Sequence, residues 1–351
     1  MKRKSFKDIS WNVSEKEYRA DNALSYSTIA KFEREGFNKL DTLFEKVESP
    51  SLTYGLCVDT LITGSDEEFN NNFMVADIDN NLTDTMITVV KKLYDTFKDK
   101  YHDVFEIPDN ELLSAIEDIS WNNHWLPKTR VKKIREDGID YYKLLYIAGD
   151  KTIIDTNTYR DVLNAVEALK TSISTKWYFE ENNVFDDSIE RLYQLKFKHS
   201  YNGVDYRSMA DEIIVLHDKK QVIPIDLKTS YHEEWDFPKS FISWCYYQQS
   251  RLYWRLIRAN MDKDSYFKDF ELLDYRFIVV NKKTLTPLVW EYPDTKKKGT
   301  LIYGKNKNII IRDPYDIGEE LNYYLNQHSK TPIGISLNEP NNLVEYINKH
   351  F

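Results

Sequence analysis

The chain has 351 residues, a net charge of −9 at pH 7, and 41% hydrophobic and 14% aromatic residues, a composition typical of a globular protein of one or two domains. The acidic balance argues against a general polyanion-binding protein, and the two cysteines, Cys57 and Cys245, exclude a disulfide framework or a four-cysteine metal site. No apolar signal region and no run of about eighteen apolar residues occurs, so we expect a soluble, cytoplasmic protein without membrane contact.

The first half of the chain is predicted to be mainly helical. In residues 22–47, apolar positions at helical spacing follow a Leu-Ser-Tyr-Ser-Thr segment, and Ser27 is predicted to be the N-cap. Four further helices are predicted at Met86–Lys98, Asn110–Ile119, Lys128–Ala148 and Asp155–Thr171. The basic runs in this region are interpreted as solvated faces more readily than as DNA-binding patches.

A sheet is predicted to begin at Ile189, with a strand at Leu192–Lys198 and a turn at Tyr201–Asp205. Two alternating apolar runs then flank a polar tetrapeptide, and this pattern predicts a β-hairpin of Ala210–Leu216 with Gln221–Lys228. Whether its turn has two or four residues, Leu216 faces Gln221, and counting back places Asp211 opposite Asp226. Pro224 argues against this strand, and a slip of one residue would put Glu212 in place of Asp211.

The predicted register has a chemical consequence at Asp211, Asp226 and Lys228. Opposite side chains on an antiparallel pair lie about 4.5–5.5 Å apart at Cβ, and two carboxylates this close repel each other. A divalent cation such as Mg²⁺ would relieve the repulsion, and the lysine on the same face could orient a water molecule or stabilise charge on a phosphate. A lone Asp-x-Lys is more often a solvated charge pair, but here a helix follows.

That helix carries three polar or aromatic residues on one face. Tyr246, Gln249 and Tyr253 are spaced i, i+3 and i+7, so they project from the same side of a helix that follows the hairpin. Farther along, Tyr275–Asn281 is predicted to be an apolar strand and Pro287–Glu291 its partner. Residues 316–351 are predicted to form a helical tail, which covers the core or makes an oligomer contact.

These residues resemble the PD-(D/E)XK nuclease superfamily, and within it the RecB-like and RecE-like phage recombination exonucleases. The resemblance is in Asp211, the run from Asp226 through Leu227 and Lys228 to Thr229 and Ser230, and the helical Tyr246, Gln249 and Tyr253. It implies an α/β fold whose mixed central sheet, of the restriction-endonuclease-like type, is wrapped by helices. It also implies that the acids and the Leu227 carbonyl bind Mg²⁺ or Mn²⁺, that Lys228 assists the attacking water, and that Gln249 completes the catalytic group.

The resemblance extends to other segments with departures. The Leu24–Thr28 segment is similar to the family's opening motif, which makes Ser25 and Ser27 candidate DNA contacts, together with Thr229, Ser230, Tyr246 and Tyr253. Where the family shows a histidine four residues after a glycine, this chain has Asp59 after Gly55. Asp59 is therefore either a metal ligand or a surface or capping residue. Glu190 is a further candidate acid. The iron–sulfur cluster of several relatives is not expected here, because it needs four cysteines.

The resemblance thus implies a metal-dependent deoxyribonuclease, and an exonuclease on linear duplex ends that acts in phage recombination in the host cytoplasm. DNA, further copies of this chain and a single-strand annealing or recombination protein are the implied partners. The nuclease domain is predicted to span residues 1–315, with motif helices at 22–64, a helical insertion at 65–175 and the catalytic sheet at 189–292. A DNA-binding module with weak or no catalysis and a restriction-type endonuclease are the alternatives.

Overall fold

The structure is a computed structural model that describes residues 3–45, 49–78, 82–117, 119–183, 185–297, 301–303 and 309–327. The helices are α1 (Glu15–Ala20), α2 (Tyr26–Glu35), α3 (Pro50–Thr63), α4 (Asp66–Asn72), α5 (Asp84–Phe97), α6 (Asp109–Glu117), α7 (Pro127–Ala148), α8 (Thr156–Thr171), α9 (Phe237–Ser243), α10 (Tyr246–Met261) and α11 (Pro314–Gln327). The strands are β1 (Phe73–Ala76), β2 (Thr152–Asp155), β3 (Ile189–Tyr201), β4 (Val204–Leu216), β5 (Gln221–Thr229), β6 (Glu271–Leu272), β7 (Tyr275–Val280), β8 (Leu288–Tyr292), β9 (Leu301–Tyr303) and β10 (Ile309–Ile311). Short 3₁₀ turns cover Phe6–Ile9, Phe37–Thr42 and Glu234–Asp236.

The chain divides into two compact units. The first consists of Met1–Thr63 together with Asn164–Phe351, and the second of Gly64–Leu163. In the second unit, α5 packs against α6 and α7 around a core of its own, and β1 pairs in parallel with β2. The four helices predicted in the middle of the chain are confirmed as α5, α6, α7 and α8, with ends within two residues of the prediction.

The first unit is built on a mixed sheet in the order β3-β4-β5-β7-β8, with β6 paired to β5. The pairs β3–β4, β4–β5 and β7–β8 are antiparallel, whereas β5 runs parallel to β7 and to β6. Helix α10 packs on β3, β4 and β7, α3 contacts β4 and β5, and α11 contacts β4. The predicted α/β class, a mixed central sheet wrapped by helices, is therefore confirmed.

The turns of the sheet explain its regular register. Asn202 and Gly203, both with positive φ (49° and 77°), join β3 to β4 as a two-residue hairpin turn, which such residues favour. Four residues, 217–220, join β4 to β5, so the alternative that the sequence left open is settled. Pro224 is tolerated inside the sheet because it lies between Val222, which pairs with β6, and Ile225, which pairs with β7.

Two details of the first unit bear on the predictions. Cys57 and Cys245 are free and buried, and they pack as small apolar residues as expected. The N-cap of α2 is Ser25, which accepts a hydrogen bond from the Thr28 backbone, so the assignment of Ser27 was wrong. Ser27 already lies in the first turn of α2. Ser25 is the cap because the extended segment, in which Leu24 pairs with Tyr206, ends just before it. Residues 328–351 of the predicted tail lie outside the described residues.

None of the helices in the described part of the chain is both long enough and apolar enough to span a bilayer.

Candidate active site

The strands β4 and β5 pair in the register that the sequence predicts. Leu216 lies opposite Gln221, and the same register, continued along the hairpin, places Asp211 opposite Asp226. The Leu227 N–H donates a hydrogen bond to Asp211 Oδ2 at 2.9 Å, which ties the first acid to the strand that carries the second. The hairpin therefore holds two carboxylates side by side.

Glu212, the alternative first acid, faces away from this pair. It pairs with Ile225 on one side and with Tyr193 on the other. It is 2% exposed, and its carboxylate oxygens have no hydrogen-bond partner among the described residues. Burial raises the pKa of Glu212 well above its ordinary value, although the Arg191 charge opposes this shift. The one-residue slip that would turn Glu212 toward the site does not occur.

The second acid is held by a lysine and a glutamine. Asp226 is 1% exposed, and its Oδ2 lies 2.5 Å from Lys228 Nζ. Gln249 Nε2 donates a hydrogen bond to Asp226 Oδ1 from the first turn of α10. Lys228 Nζ also lies 4.6 Å from the ring centroid of Tyr246, which α10 presents one turn earlier. The predicted helical face thus meets the predicted hairpin through Tyr246 and Gln249.

A third acid, Asp59, approaches this group from α3. An added Cβ at Gly55 would lie 2.8 Å from Thr229 Oγ1, so the glycine lets the helix approach β5 this closely without displacing that hydroxyl. Asp59 lies four residues later on the same helical face. Its Oδ2 accepts a hydrogen bond from Gln194 Nε2 at 2.8 Å. Gly55 therefore explains how an acid distant in sequence reaches the hairpin.

The electrostatics show that the three acids interact. Burial and the Asp226 charge raise the pKa of Asp59 to about 7, against the opposing effect of Lys228. Burial, then Asp226 and Asp59, raise the pKa of Asp211 well above its ordinary value. Burial alone would lower the pKa of Lys228, but Asp226, Tyr246 and Asp211 together outweigh it and raise that pKa. Lys228 is therefore an ammonium at neutral pH, and it cannot serve as a general base.

The donor chemistry of the site suits a hard divalent cation. Asp59, Asp211 and Asp226 offer oxygen alone, and Asp59 Oδ1 is buried without a hydrogen-bond partner among the described residues. Across the described part of the chain, no three carboxylate, imidazole or thiolate side chains already stand in a metal-binding arrangement. The residues therefore fit a cation by their donor type and by the oxygen without a partner. In this structure Lys228 and Gln249 each contact one carboxylate oxygen of Asp226.

Known proteins give little information on the function of this site. No family model matches the chain, and none of the curated proteins matches it either. A crystal structure from Eubacterium rectale, described provisionally as an exonuclease, is similar over 96% of this chain and 98% of that chain, with 11% identity and a TM-score of 0.41. A TM-score this low carries no argument, so the function has to be argued from the residues of this chain.

Glu190, a predicted metal ligand, lies elsewhere. It pairs with Val215, four positions along β4 from Asp211, or about 13 Å at about 3.3 Å per residue. Its carboxylate accepts hydrogen bonds from Ser5 Oγ and from the Phe6 N–H, and it lies 3.5 Å from His217. Glu190 therefore anchors the N-terminal segment to the sheet, and the structure does not bring it to the acids.

Five of the six predicted DNA contacts lie in different surroundings. Tyr253 is 7% exposed, with its ring centroid 6.4 Å from that of Tyr26 and 6.3 Å from that of Tyr275. No base could stack on Tyr253 in this position. Ser25 and Ser27 hydrogen bond to each other at 2.8 Å at the start of α2. Thr229 contacts α3 at Gly55, and Ser230 lines a pocket that begins at Lys228.

Sequence reasoning missed Gln194. Its φ is +54° in the middle of β3, at the position opposite Asp211, a conformation that costs a non-glycine residue about 1–3 kcal/mol. Its side chain donates to Asp59 and, at 3.2 Å, to Thr63 Oγ1. In the sequence Gln194 is one polar residue in an alternating strand, and no local signal distinguishes it from a surface position.

Proposed function

We propose that this chain is a metal-dependent nuclease that hydrolyses phosphodiester bonds in DNA. The observation that carries the proposal is the meeting of three carboxylates, Asp59, Asp211 and Asp226, around the ammonium of Lys228. Acids that repel one another at neutral pH are costly to bury, and groups with perturbed pKa values cluster at functional sites. In a protein that binds no cation here, replacing one of these acids by a neutral residue would stabilise the fold.

In this proposal Asp59, Asp211 and Asp226 hold Mg²⁺, or Mn²⁺ in its place, and the Leu227 carbonyl joins them. A bound divalent cation supplies Lewis acidity toward a phosphate and lowers the pKa of bound water. Lys228 donates hydrogen bonds, because its raised pKa keeps the ammonium charged. It can thus orient the attacking water and stabilise the negative charge that develops on the phosphate oxygens.

Gln249 and Tyr246 have supporting roles in this proposal. The Gln249 amide fixes one oxygen of Asp226, so the other oxygen is left for Lys228 or a cation. The Tyr246 ring lies under the ammonium and limits the directions in which Lys228 can move. Both residues come from one end of α10, which fixes their spacing relative to β5.

We further propose that the enzyme acts on the ends of linear duplex DNA, as the resemblance of its motifs to RecE-like nucleases implies. Recombination, an annealing protein as partner and assembly with further copies of this chain belong to the same proposal. The alternative is a DNA-binding module without catalysis. One observation favours it, since Lys228 and Gln249 each contact an oxygen of Asp226 that a cation would need.

The test is degradation of end-labelled linear duplex and of closed circular DNA, with Mg²⁺, with Mn²⁺ and with EDTA. The Lys228→Ala protein is compared with Lys219→Ala, which removes an exposed lysine at the turn of the same hairpin. We expect loss of linear DNA that needs both the cation and Lys228, and no effect of Lys219→Ala. Cleavage of circular DNA would identify an endonuclease instead. Binding without cleavage under every condition would support the DNA-binding module.

A further inference from the structure

A pocket of about 290 Å³ begins at Lys228 and extends away from the three acids. Its walls are the end of β5, the loop that follows, and α9 together with the start of α10, where Trp244 and Tyr246 lie. Its volume is at the lower end of small-molecule pockets, which are about 300–1,000 Å³. It therefore has room for one small group and is too small for a duplex.

The loop that forms one wall is held rigidly. The side-chain amide of Asn281, which is 4% exposed, donates hydrogen bonds to the carbonyls of Ser230, Tyr231 and His232 at 3.0, 3.0 and 3.3 Å. The carboxylate of Glu234, which is fully buried, accepts a hydrogen bond from the Asn281 N–H at 3.0 Å. The backbone of this wall is thus fixed before any ligand arrives, which lowers the entropic cost of binding.

The aromatic side chains on this rigid frame point outward. Tyr231 is 91% exposed, and Trp244 is 54% exposed although Arg34 covers one side of its ring at 5.3 Å. The Trp244 carbonyl accepts a hydrogen bond from Tyr26 Oη at 2.6 Å, so the residue that carries the indole is also anchored. Large aromatic rings that are exposed on an anchored backbone are typical of binding surfaces, where they supply contact area.

The pocket also contains an unsatisfied hydroxyl and a cation. Ser230 Oγ is buried and has no hydrogen-bond partner among the described residues, and it lies in the wall next to Lys228. A hydroxyl and an ammonium at one end of an aromatic pocket match a nucleotide, whose phosphate is anionic and whose base is planar and apolar on both faces. The exposed rings and the polar end therefore point to the same ligand.

We propose that this pocket binds an unpaired base of the DNA strand whose phosphate lies against Lys228. The base stacks on Trp244 and Tyr231, and Ser230 Oγ hydrogen bonds to the nucleotide. This assignment rests on the proposed nuclease function and deepens it, because it makes a single-stranded or frayed terminus the form of DNA that enters the site. The stacking residues are then Trp244 and Tyr231, since Tyr253 is buried in the core.

The experiment measures binding of a fluorescent single-stranded oligodeoxynucleotide by anisotropy in EDTA, where cleavage does not contribute. Trp244→Ala and Tyr231→Ala are each expected to weaken binding by about 5- to 150-fold, the range that corresponds to loss of one stacked base. Trp235→Ala is the matched control, because Trp235 is 58% exposed on the same loop and does not line the pocket. A closed circular duplex, which has no ends and no unpaired bases, is expected to bind each variant as it binds the wild type.

The ligand is varied in parallel. A set of oligonucleotides is used in which a single abasic site occupies each position in turn. At one position the missing base should weaken wild-type binding at least as much as Trp244→Ala does. That penalty should be smaller in the Trp244→Ala protein, which has already lost one of the two stacking rings. Unchanged binding by both variants, or equal weakening by Trp235→Ala, would overturn the proposal. Tyr231→Ala distinguishes a loss of binding from a loss of folding, because a side chain that is 91% exposed contributes little to stability.

The two proposals fail in different ways. If the wild-type protein binds the oligonucleotide through Trp244 and yet never cleaves DNA, the nuclease proposal fails and the base pocket stands. If the protein cleaves DNA and Trp244→Ala binds the single strand as tightly as the wild type, the base pocket fails and the nuclease proposal stands.

Discussion

Asp59→Asn should change how the stability of the protein depends on pH. The Asp59 carboxyl has a pKa of about 7 in the folded protein, because of burial and of the Asp226 charge, against an ordinary value of 3.8. Below about pH 4 the carboxyl is protonated in both the folded and the unfolded chain, so it adds no cost. Between about pH 4 and 7 the unfolded chain releases the proton and the folded chain retains it. The folded state therefore loses stability as the pH rises through this window.

The size of the effect follows from the two pKa values. The difference between about 7 and 3.8 corresponds to about 4 kcal/mol, at about 1.36 kcal/mol per pKa unit. This is an upper bound, because Asp59 is only half-buried and removing its charge also eases ionisation of Asp211. Asparagine has nearly the same shape and carries no charge, so the variant should be the more stable protein at pH 8 and should lose that advantage near pH 4.

The assay is urea unfolding in EDTA, followed by tryptophan fluorescence, at several pH values from 4.5 to 8.5. Asp269→Asn, which removes an exposed carboxyl on a loop, is the control for a general change in net charge. A stability difference between wild type and Asp59→Asn that stays constant across this range would refute the reasoning. Adding Mg²⁺ at about 100 times its Kd should stabilise the wild type by about 2.7 kcal/mol at pH 8 and Asp59→Asn by less.

Three further outcomes are expected. Gly55→Ala should weaken Mg²⁺ binding in a calorimetric titration, because the new methyl group meets Thr229 Oγ1, and adding Thr229→Ala should restore most of the affinity. Glu212→Met should raise the free energy of unfolding by about 1–3 kcal/mol at pH 7, because it removes a buried carboxyl group that has no hydrogen-bond partner among the described residues, and a fall in the urea midpoint would contradict this. Asn281→Ala should speed amide hydrogen exchange in residues 230–236 and leave exchange in α5 unchanged, since three carbonyls lose their common donor.

The local sequence pattern was sufficient to predict which residues meet at the centre of the candidate site. A two-residue alternation and a polar turn specify which positions of a hairpin face each other, and shifting the pairing by one would expose an entire apolar face. That is why Asp211 and Asp226 could be paired by counting from Leu216 and Gln221. The spacing of Tyr246 and Gln249 is likewise a property of any helix, and both residues reach the hairpin as predicted.

Tertiary packing determines which turns of α10 face the site and which face the core. Tyr253 shares the helical face of Gln249, but one turn farther along α10 the face meets the core and not the site. Glu190 was expected just before the strand Leu192–Lys198; it lies on β3, which begins earlier, and the register of β3 against β4 pairs it with Val215. Periodicity assigns a residue to a face of an element, and only the neighbouring elements determine what lies against each turn of that face.

The sequence by itself determined the four helices in the middle of the chain, the central hairpin and its acids, because each depends on residues close together in the chain. The third acid and the base pocket depended on the tertiary structure. Asp59 reaches the hairpin because a glycine lets α3 approach β5, and Gln194 holds it from a backbone conformation that no pattern predicts. Ser230 and Tyr231 line the pocket where Asn281, far along the chain, holds their carbonyls, and Trp244 is anchored there by Tyr26. Contacts between distant segments form only when the whole core packs, so the local spacing of residues in the sequence does not predict them.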